Sequence, residues 1–383
     1  MNDRGAQAPA AVLPVERAVA RVDLAAIEQN CALLKERLGA AALCAVVKAD
    51  GYGHGALPAA SAALAGGATW LAVATAREAA ALREGGIAGR ILVMGALTRA
   101  ELATALAAGA DIVAWTREFL SLAAASAAEA GRAARIHSKL DTGMGRLGTK
   151  SSELALALLE EAEAAETLEA VGLMTHFATA DAPDPTYLDE QLVRFAQVAE
   201  RARTALPAIV VHAANSAAVL SEPASHFNMA RCGVAIYGLD PFQRDPRDHG
   251  LVPALALDSY VASVKPFGPG ESAGYGRTWR AREDTLVATL PIGYGDGYRR
   301  GLSNVADVLI RGRRHRLAGT VSMDNVTVDL GAESDVQVGE RATLIGSQGT
   351  ERVHAEELAQ ALGTINYEIT CGLTSRVPRR YED

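Results

Sequence analysis

Eight short apolar segments, each followed by a stretch with helical periodicity, constrain the fold of this chain more than any other sequence feature. Near-continuous apolar runs are typical of strands covered on both faces, hence of a parallel sheet with crossover helices. The runs are CAVVK (44–48), WLAVAT (70–75), ILVMG (91–95), DIVAW (111–115), RIHSKLD (135–141), AVGLMTHF (170–177), AIVVHAAN (208–215) and NMARCG (228–233). Eight such units favour a closed (β/α)8 barrel of TIM type, with an open doubly wound sheet as the alternative.

The pattern changes after PFQRDPRDHG, residues 241–250. Segments such as DTLVATLPIG and NVTVDL alternate or cluster β-forming residues between turn residues, and HAEELAQALG is one helical patch. We therefore predict an α/β fold with two domains, a barrel over residues 18–243 and a mainly β domain over residues 244–383.

Composition excludes several classes of partner. The net charge of −8 opposes binding to phosphate backbones or anionic membranes. The N-terminal segment AQAPAAVLPVERAVARV loses its apolar character at Glu16 and Arg17, and no later segment approaches the ~18 apolar residues of a membrane span. The four cysteines lie far apart without zinc-ligand spacing. We expect a cytoplasmic protein with no metal and with neither a nucleic acid nor a membrane as partner.

Polar residues fall at the carboxyl ends of the predicted barrel strands, where barrel enzymes build their active sites. They are Lys48, Lys139, His176, Ser216 and Arg231. Each alone has an ordinary structural interpretation, as a lysine reaching solvent, a packed histidine or a helix-capping serine. Their coincidence at strand ends favours a functional site.

Lys48 follows a buried-looking strand, where its ammonium would lose water. Desolvation lowers the pKa of a lysine and makes it a usable amine nucleophile for Schiff-base chemistry. The aldehyde cofactor most often held this way is pyridoxal 5'-phosphate, which also needs a phosphate cradle of backbone N–H groups and hydroxyls. Ser216, opening a short helix, and the pair Gly233 and Val234 after the eighth strand are candidates for that cradle.

Nine motifs, in this order, resemble those of bacterial alanine racemases from about residue 18 to the C-terminus. They are AVVKADGYGHG, HSKLDTGMGRLG, THFATAD, HAANSAA, RCGVAIYG, SAGYGRTW, PIGYGDGY, VSMDN and GTINYEITCGLTSRVPRRY. The resemblance implies a barrel plus a β domain, pyridoxal 5'-phosphate as cofactor, and a head-to-tail homodimer with shared active sites. It also implies interconversion of L- and D-alanine, with D-alanine supplied for peptidoglycan.

The resemblance implies two catalytic bases. Lys48 matches the lysine that binds the cofactor and acts on the D-enantiomer's face, and Tyr275 matches the tyrosine that the partner subunit inserts as the opposite base. A racemase must remove a proton from one face and return one to the other, and two opposed bases meet that need. The other cofactor-binding positions are Tyr52, Ser216, Gly233, Val234 and Tyr367 at the phosphate, His176 beside the pyridine ring, and Arg231 facing its nitrogen.

The remaining implied roles concern the substrate. Arg146 resembles the arginine that contacts the carboxylate, and Met323 the residue whose backbone N–H assists it. Lys139 resembles a lysine that many family members carry as a carbamate orienting that arginine. Asp324 resembles an acidic residue near the partner's site, and Tyr294 a gate at the access channel.

Four other interpretations remain open at this level. They are a broad-specificity amino acid racemase, a noncatalytic pyridoxal phosphate binding barrel, a basic amino acid decarboxylase, and an unrelated barrel whose polar residues are structural. The β domain bearing Tyr275 argues against the carrier, and the partner-site motifs of the decarboxylase are absent. Two positions depart from the family pattern: Cys232 stands where proline is common, and Thr320 stands where arginine is common.

Overall fold

The computed structural model describes residues 16–382, which form two compact units. The barrel unit comprises residues 23–254, and the β unit comprises the described residues 16–22 together with 255–382. These bounds differ from the predicted ranges 18–243 and 244–383, because strand β1 (Ala18–Asp23) pairs with β10 (Leu255–Tyr260) and residues 244–254 stay with the barrel. Most of the N-terminal segment AQAPAAVLPVERAVARV, residues 6–22, lies outside the described residues.

Eight parallel strands close into a barrel in the first unit. They are β2 (Ala42–Val46), β3 (Trp70–Val73), β4 (Arg90–Val93), β5 (Asp111–Ala114), β6 (Ala134–Lys139), β7 (Leu168–Met174), β8 (Val210–His212) and β9 (Met229–Cys232). Strand β2 pairs with both β3 and β9, so the sheet has no edge. The predicted TIM-type barrel is therefore confirmed, and the open-sheet alternative is wrong.

Helices alternate with these strands. They are α1 (Leu24–Leu38), α2 (Lys48–Tyr52), α3 (Ala56–Ala65), α4 (Ala76–Glu84), α5 (Arg99–Ala107), α6 (Arg117–Ala130), α7 (Ser152–Ala164), α8 (Thr186–Ala205) and α9 (Ser216–Ser221). Helix α4 begins with a capping box between Thr75 and Glu78, which satisfies backbone N–H groups that the first turn leaves unpaired. Apolar strand residues such as Leu43, Leu71 and Ile112 are fully buried, as the continuous apolar runs predict.

The β unit is mainly antiparallel. Its remaining strands are β11 (Ser263–Phe267), β12 (Ser272–Ala273), β13 (Trp279–Arg280), β14 (Thr285–Leu290), β15 (Asp307–Ile310), β16 (Arg313–Arg316), β17 (Val326–Gly331), β18 (Arg341–Gln348), β19 (Glu351–Val353) and β20 (Arg379–Glu382). The largest sheet has the order β16-β15-β18-β10-β1-β20, with β19 paired to β18. Strands β11, β14 and β17 form a second sheet. Two helices complete the unit, α10 (Ala355–Leu362) and α11 (Asn366–Cys371), and the predicted mainly β region is confirmed.

None of the helices within residues 16–382 is long and apolar enough to span a membrane.

Candidate active site

Lys48 lies two residues beyond the end of β2 and begins the short segment α2. Ala49, Asp50 and Tyr52 have φ values of 52°, 53° and 53°, so α2 contains a left-handed turn. Left-handed backbone costs roughly 1–2 kcal/mol for each non-glycine residue, and such strain concentrates at functional sites. Asp50 offsets part of this cost because its Oδ1 accepts a hydrogen bond from the backbone N–H of Ala56 at 2.9 Å.

Four cationic side chains cluster at the carboxyl ends of the barrel strands. Lys139, the last residue of β6, is 6% exposed. Burial, and then the positive charges of Arg231, Arg146 and Lys48, together lower its pKa to about 8, although Asp141 acts in the opposite direction. Burial, and then the positive charges of Arg231, Lys139, Arg146 and Lys48, also hold the pKa of His176 well below its usual range. A cluster with this excess of positive charge suits an anionic ligand.

Ser216 and Gly233 form a small cradle at the same end of the barrel. The Oγ of Ser216 accepts hydrogen bonds from the backbone N–H groups of Gly233 at 3.0 Å and Ala235 at 3.3 Å. A Cβ atom on Gly233 would lie 2.4 Å from the hydroxyl oxygen of Tyr52, so a side chain there would collide with the tyrosine. Val234 follows Gly233 directly. These hydroxyls and N–H groups have the chemistry that binds a phosphate.

Arg231 occupies the interior of the barrel on β9 and is almost fully buried. Its guanidinium donates to the backbone oxygens of Thr175 (2.8 Å), His212 (3.1 Å) and Ala213 (3.1 Å), and it contacts Nδ1 of His212 at 2.9 Å and Nδ1 of His176 at 3.3 Å. Because arginine has no acceptor, both Nδ1 atoms accept and both rings are neutral with the proton on Nε2. Burial lowers the pKa of Arg231 to about 10, so it stays a cation at neutral pH.

Arg146 lies on an exposed loop after β6 and makes no hydrogen bond or ion pair with any described residue. Asp141 closes this loop by accepting from the backbone N–H of Gly143 at 3.0 Å and of Gly145 at 3.1 Å. The guanidinium of Arg146 is therefore near the cationic cluster and available to an external carboxylate.

Glu78 supports the turn that carries Lys48, although the sequence did not single it out. Its Oε1 accepts from the backbone N–H of Ala49 at 2.7 Å, and its Oε2 accepts from those of Ala74 at 2.8 Å and Thr75 at 3.0 Å. The capping-box pattern marks Glu78 as a helix-start residue, but its contact with Ala49 spans 29 positions and leaves no local signal.

Gln191 on α8 is a second residue that the sequence did not indicate. Its side-chain amide donates to the backbone oxygen of His176 at 3.2 Å and to Thr142 Oγ1 at 3.1 Å, while its Oε1 accepts from the N–H of Ala178 at 2.8 Å. Gln191 is fully buried, and these three hydrogen bonds fix the loop that presents His176.

The other predicted residues lie in the β unit. Tyr275 begins a 3-10 turn and is 74% exposed, and its backbone oxygen accepts from the Oγ1 of Thr320 at 2.8 Å. Tyr294 and Met323 are also exposed, and two backbone hydrogen bonds join their loops, including Gly295 N–H to Met323 O at 2.9 Å. The loop of residues 319–325 therefore contacts both tyrosine-bearing segments.

Two further β-unit residues have different environments. Asp324 forms an ion pair with Arg376 at 2.6 Å, at the surface of the unit. Tyr367 lies on α11 and is half-buried. Within each unit, the structure thus groups the predicted residues into a buried set at the barrel mouth and a largely exposed set on the β-unit loops.

Alanine racemases from several bacteria are similar to this chain over nearly its whole length. An alanine racemase of Symbiobacterium thermophilum is 42% identical over 363 residues, which cover 94% of this chain and 96% of that protein. The alanine racemase of D-cycloserine-producing Streptomyces lavendulae has a crystal structure that matches with a TM-score of 0.91 and 36% identity, covering 97% of this chain and 98% of that one. The structure of the Streptomyces coelicolor alanine racemase also matches with a TM-score of 0.91, at 38% identity, and the match covers 96% of this chain and 99% of that one.

The fold and the site define a class of two-unit proteins, in which a (β/α)8 barrel with a cationic pocket at its strand ends accompanies a mainly β C-terminal region. A family model for the alanine racemase N-terminal domain matches residues 22–241, and one for the alanine racemase C-terminal domain matches residues 254–381. The chain belongs to the alanine racemase family, and the predicted family and enzyme class are confirmed.

Proposed function

We propose that the protein interconverts L- and D-alanine with pyridoxal 5'-phosphate as its cofactor. The observation that carries this proposal is the cationic cluster around His176, beside the cradle formed by Ser216 and Gly233. A positively charged cluster that contains an amine suits an aldehyde bearing a phosphate, and it also suits a substrate carboxylate.

The residues at the barrel mouth fit this cofactor. A Cβ atom on Gly233 would collide with Tyr52, so only glycine fits at this position of the cradle. Ser216, Tyr52 and Val234 would hold the phosphate, and the family resemblance implies the same role for Tyr367. When bound, the cofactor withdraws electrons from the α-carbon and makes its proton removable.

Arg231 would face the pyridine nitrogen of the cofactor. A guanidinium donates a hydrogen bond but keeps its proton, because its pKa stays near 10 even when buried. Limited proton donation to the ring restrains its electron withdrawal, and this favours return of the proton to the α-carbon over transamination. His176, with its proton on Nε2, would pack beside the ring and offer a donor on the side away from Arg231.

Two bases would act on opposite faces of the substrate. Lys48 would hold the cofactor in the resting enzyme and then exchange the α-proton of D-alanine. Tyr275 would do the same for L-alanine, and we propose that it comes from the partner subunit of a head-to-tail homodimer. The exposure of Tyr275, Tyr294 and Met323 supports this arrangement, because a group of large apolar side chains on neighbouring loops indicates an interaction surface.

The substrate carboxylate would bind Arg146, which has no ionic partner among the described residues, with assistance from the backbone N–H of Met323. We propose that Lys139 is a carbamate that orients Arg146. Its pKa of about 8 makes some neutral amine available near pH 7 to add carbon dioxide and release one proton. Asp324 and Tyr294 would border the access channel of the partner's site.

The proposal includes a cytoplasmic protein that supplies D-alanine for peptidoglycan. Alanine is the preferred substrate because Tyr294 and Tyr367 would crowd the space beside its methyl group. Overfilling a packed pocket costs about 1–3 kcal/mol, so serine should react roughly ten- to a hundredfold more slowly. Lysine should react negligibly, because its ammonium needs a solvated or anionic receptor.

The test is a circular-dichroism assay of L-alanine, D-alanine, serine and lysine with the purified protein. We expect a yellow protein, covalent fixation of the cofactor to Lys48 by borohydride, and the order alanine, serine, lysine in kcat/KM. A protein that stays colourless with added pyridoxal phosphate would reject the proposal. A yellow protein without racemisation would indicate the noncatalytic carrier, and equal turnover of lysine and alanine would indicate a broad-specificity racemase.

A further inference from the structure

A chain of four buried polar side chains crosses the interior of the barrel. Arg231 Nη1 contacts His212 Nδ1 at 2.9 Å, His212 Nε2 contacts His137 Nδ1 at 2.9 Å, and His137 Nε2 contacts Asp111 Oδ2 at 3.2 Å. None of the four is more than 4% exposed. Barrel interiors are normally filled by branched apolar side chains, and a polar chain there is costly unless every member is paired.

The barrel makes specific room for this chain. His137 on β6 reaches His212 on β8 across the intervening strand β7, where the neighbouring position is Gly172. A Cβ atom on Gly172 would lie 2.0 Å from His137 Nδ1, so any side chain at that position would displace the imidazole. The rings of His137 and Trp70 also pack edge to face, with centroids 5.6 Å apart at 87°.

The direction of every hydrogen bond follows from Arg231. A guanidinium only donates, so His212 Nδ1 accepts and His212 carries its proton on Nε2. That N–H donates to His137 Nδ1, so His137 also carries its proton on Nε2 and donates it to Asp111. Burial and the neighbouring charge of Arg231 keep the pKa of His212 well below its usual range, in agreement with a neutral ring.

Asp111 supplies the negative charge of the chain. It forms ion pairs with Arg135 at 2.5 Å and with Arg90 at 2.6 Å, and the guanidinium of Arg90 lies 4.2 Å from the ring centroid of Trp70. In contrast, all the hydrogen-bond partners of Arg231 among residues 16–382 are neutral imidazoles or backbone carbonyls. Asp111 is thus the carboxylate that ends the hydrogen-bonded chain of a deeply buried guanidinium.

We propose that Asp111 is a positioning residue, whose carboxylate acts through His137 and His212 to hold Arg231 as a charged donor with fixed orientation. This inference rests on the proposed function, in which Arg231 faces the pyridine nitrogen. Loss of the carboxylate removes the acceptor of the His137 N–H, so His137 and His212 can change tautomer and Nδ1 of His212 need no longer accept from Arg231. The guanidinium then loses its fixed orientation towards the pyridine nitrogen, and the fraction of turnovers that end in transamination rises.

The first test measures tautomers and does not depend on activity. Holoenzyme labelled with ¹⁵N-histidine should show His137 and His212 as Nε2–H tautomers, assigned with single His137→Gln and His212→Gln variants. A doubly protonated ring, or an Nδ1–H tautomer at either residue, would overturn the proposal. If the protein binds no cofactor, the proposed function fails, whereas spectra of the cofactor-free protein still give the tautomers of His137 and His212.

The second test compares Asp111→Asn with Asp258→Asn. Asp258 is also a buried strand aspartate paired with an arginine, Arg21, but it lies in the β unit. We expect Asp111→Asn to lower kcat roughly tenfold, to leave KM for alanine within about twofold, and to raise pyruvate formed per racemisation about tenfold. Asp258→Asn should lower thermal stability without raising pyruvate. Wild-type kcat and pyruvate in folded Asp111→Asn would overturn the proposal.

A third comparison decides the question if Asp111→Asn does not fold. In His137→Gln the amide oxygen accepts from His212 and the amide nitrogen donates to Asp111, so the chain is kept, whereas His137→Leu breaks it. Gly172→Ala displaces the imidazole without removing any polar atom. His137→Gln should form pyruvate nearly as rarely as the wild type, and His137→Leu and Gly172→Ala should form it about tenfold more often. Equal pyruvate in all three would contradict the proposal.

Discussion

The barrel mouth and the β-unit loops hold their proposed functional residues in opposite ways. At the barrel mouth, Arg231 and Lys139 are buried, and side-chain hydrogen bonds fix Arg231 on several sides. In the β unit, Tyr275 and Met323 are largely exposed, and hydrogen bonds to the backbone hold their loops while the side chains project outward.

This difference indicates where each set of residues meets its ligand. A buried cationic cluster is costly in the free protein, and the proposed anionic cofactor would offset that cost by binding at the barrel mouth. Exposed aromatic side chains cost little and provide apolar surface to another molecule. Under the proposed function, the base at the barrel mouth is Lys48, and the exposed Tyr275 of the β unit is presented to another molecule.

The largest effect should come from removing either base. Lys48→Ala and Tyr275→Phe should each lower racemisation by roughly 10²- to 10⁴-fold, because a general base contributes about that much. In deuterium oxide, Lys48→Ala should lose α-proton exchange mainly on D-alanine, and Tyr275→Phe mainly on L-alanine. Equal loss of both exchanges in both variants would contradict the assignment of one base to each face.

Mixing the two inactive variants sharpens the comparison between the units. If Tyr275 serves the partner's barrel, a heterodimer of Lys48→Ala and Tyr275→Phe chains has one site with both bases and one with neither. Random mixing should then restore about a quarter of wild-type activity, since half of the dimers carry one good site in two. Heterodimers confirmed by mass that stay inactive would place both bases in one chain.

The strand ends of the barrel could be predicted because they depend on local patterns. Continuous apolar runs mark buried parallel strands, and Lys139 and Arg231 follow from their places in or beside those runs. The barrel strands were predicted to within a few residues, because each apolar run is bounded by helical periodicity.

Features that depend on distant residues could not be predicted. Strand β1 pairs with β10, with Ala18 opposite Ser259, and the sequence near Ala18 does not indicate that this strand belongs outside the barrel. The left-handed turn after Lys48 depends on Glu78, and the contact of His137 with His212 depends on a glycine on the strand between them. Such contacts are set by tertiary packing, which overrides local propensity.

A smaller effect should follow from the lowered pKa of Lys139. The neutral amine that reacts with carbon dioxide falls about tenfold for each pH unit below its pKa of about 8, so a carbamate forms less readily as pH decreases. We expect KM for alanine to rise several-fold in carbon dioxide-depleted enzyme at pH 6.5 and to recover with bicarbonate. Lys139→Gln should not respond to bicarbonate, whereas Lys150→Gln, on an exposed loop, should respond like the wild type. A bicarbonate response retained in Lys139→Gln would locate the effect elsewhere.

The smallest effect should come from the hydrogen bond that holds the Tyr275 segment. Thr320→Val removes the hydroxyl that donates to the backbone oxygen of Tyr275 at 2.8 Å, a bond worth about 1 kcal/mol, while keeping the shape of the side chain. We expect kcat for L-alanine to decrease about three- to fivefold, because 1.4 kcal/mol corresponds to a factor of ten, and α-proton exchange on D-alanine to change less. Thr320→Ser keeps the hydroxyl and should restore the wild-type rate. Equal slowing of both exchanges in Thr320→Val would mean that Thr320 supports the β unit as a whole rather than the position of one base.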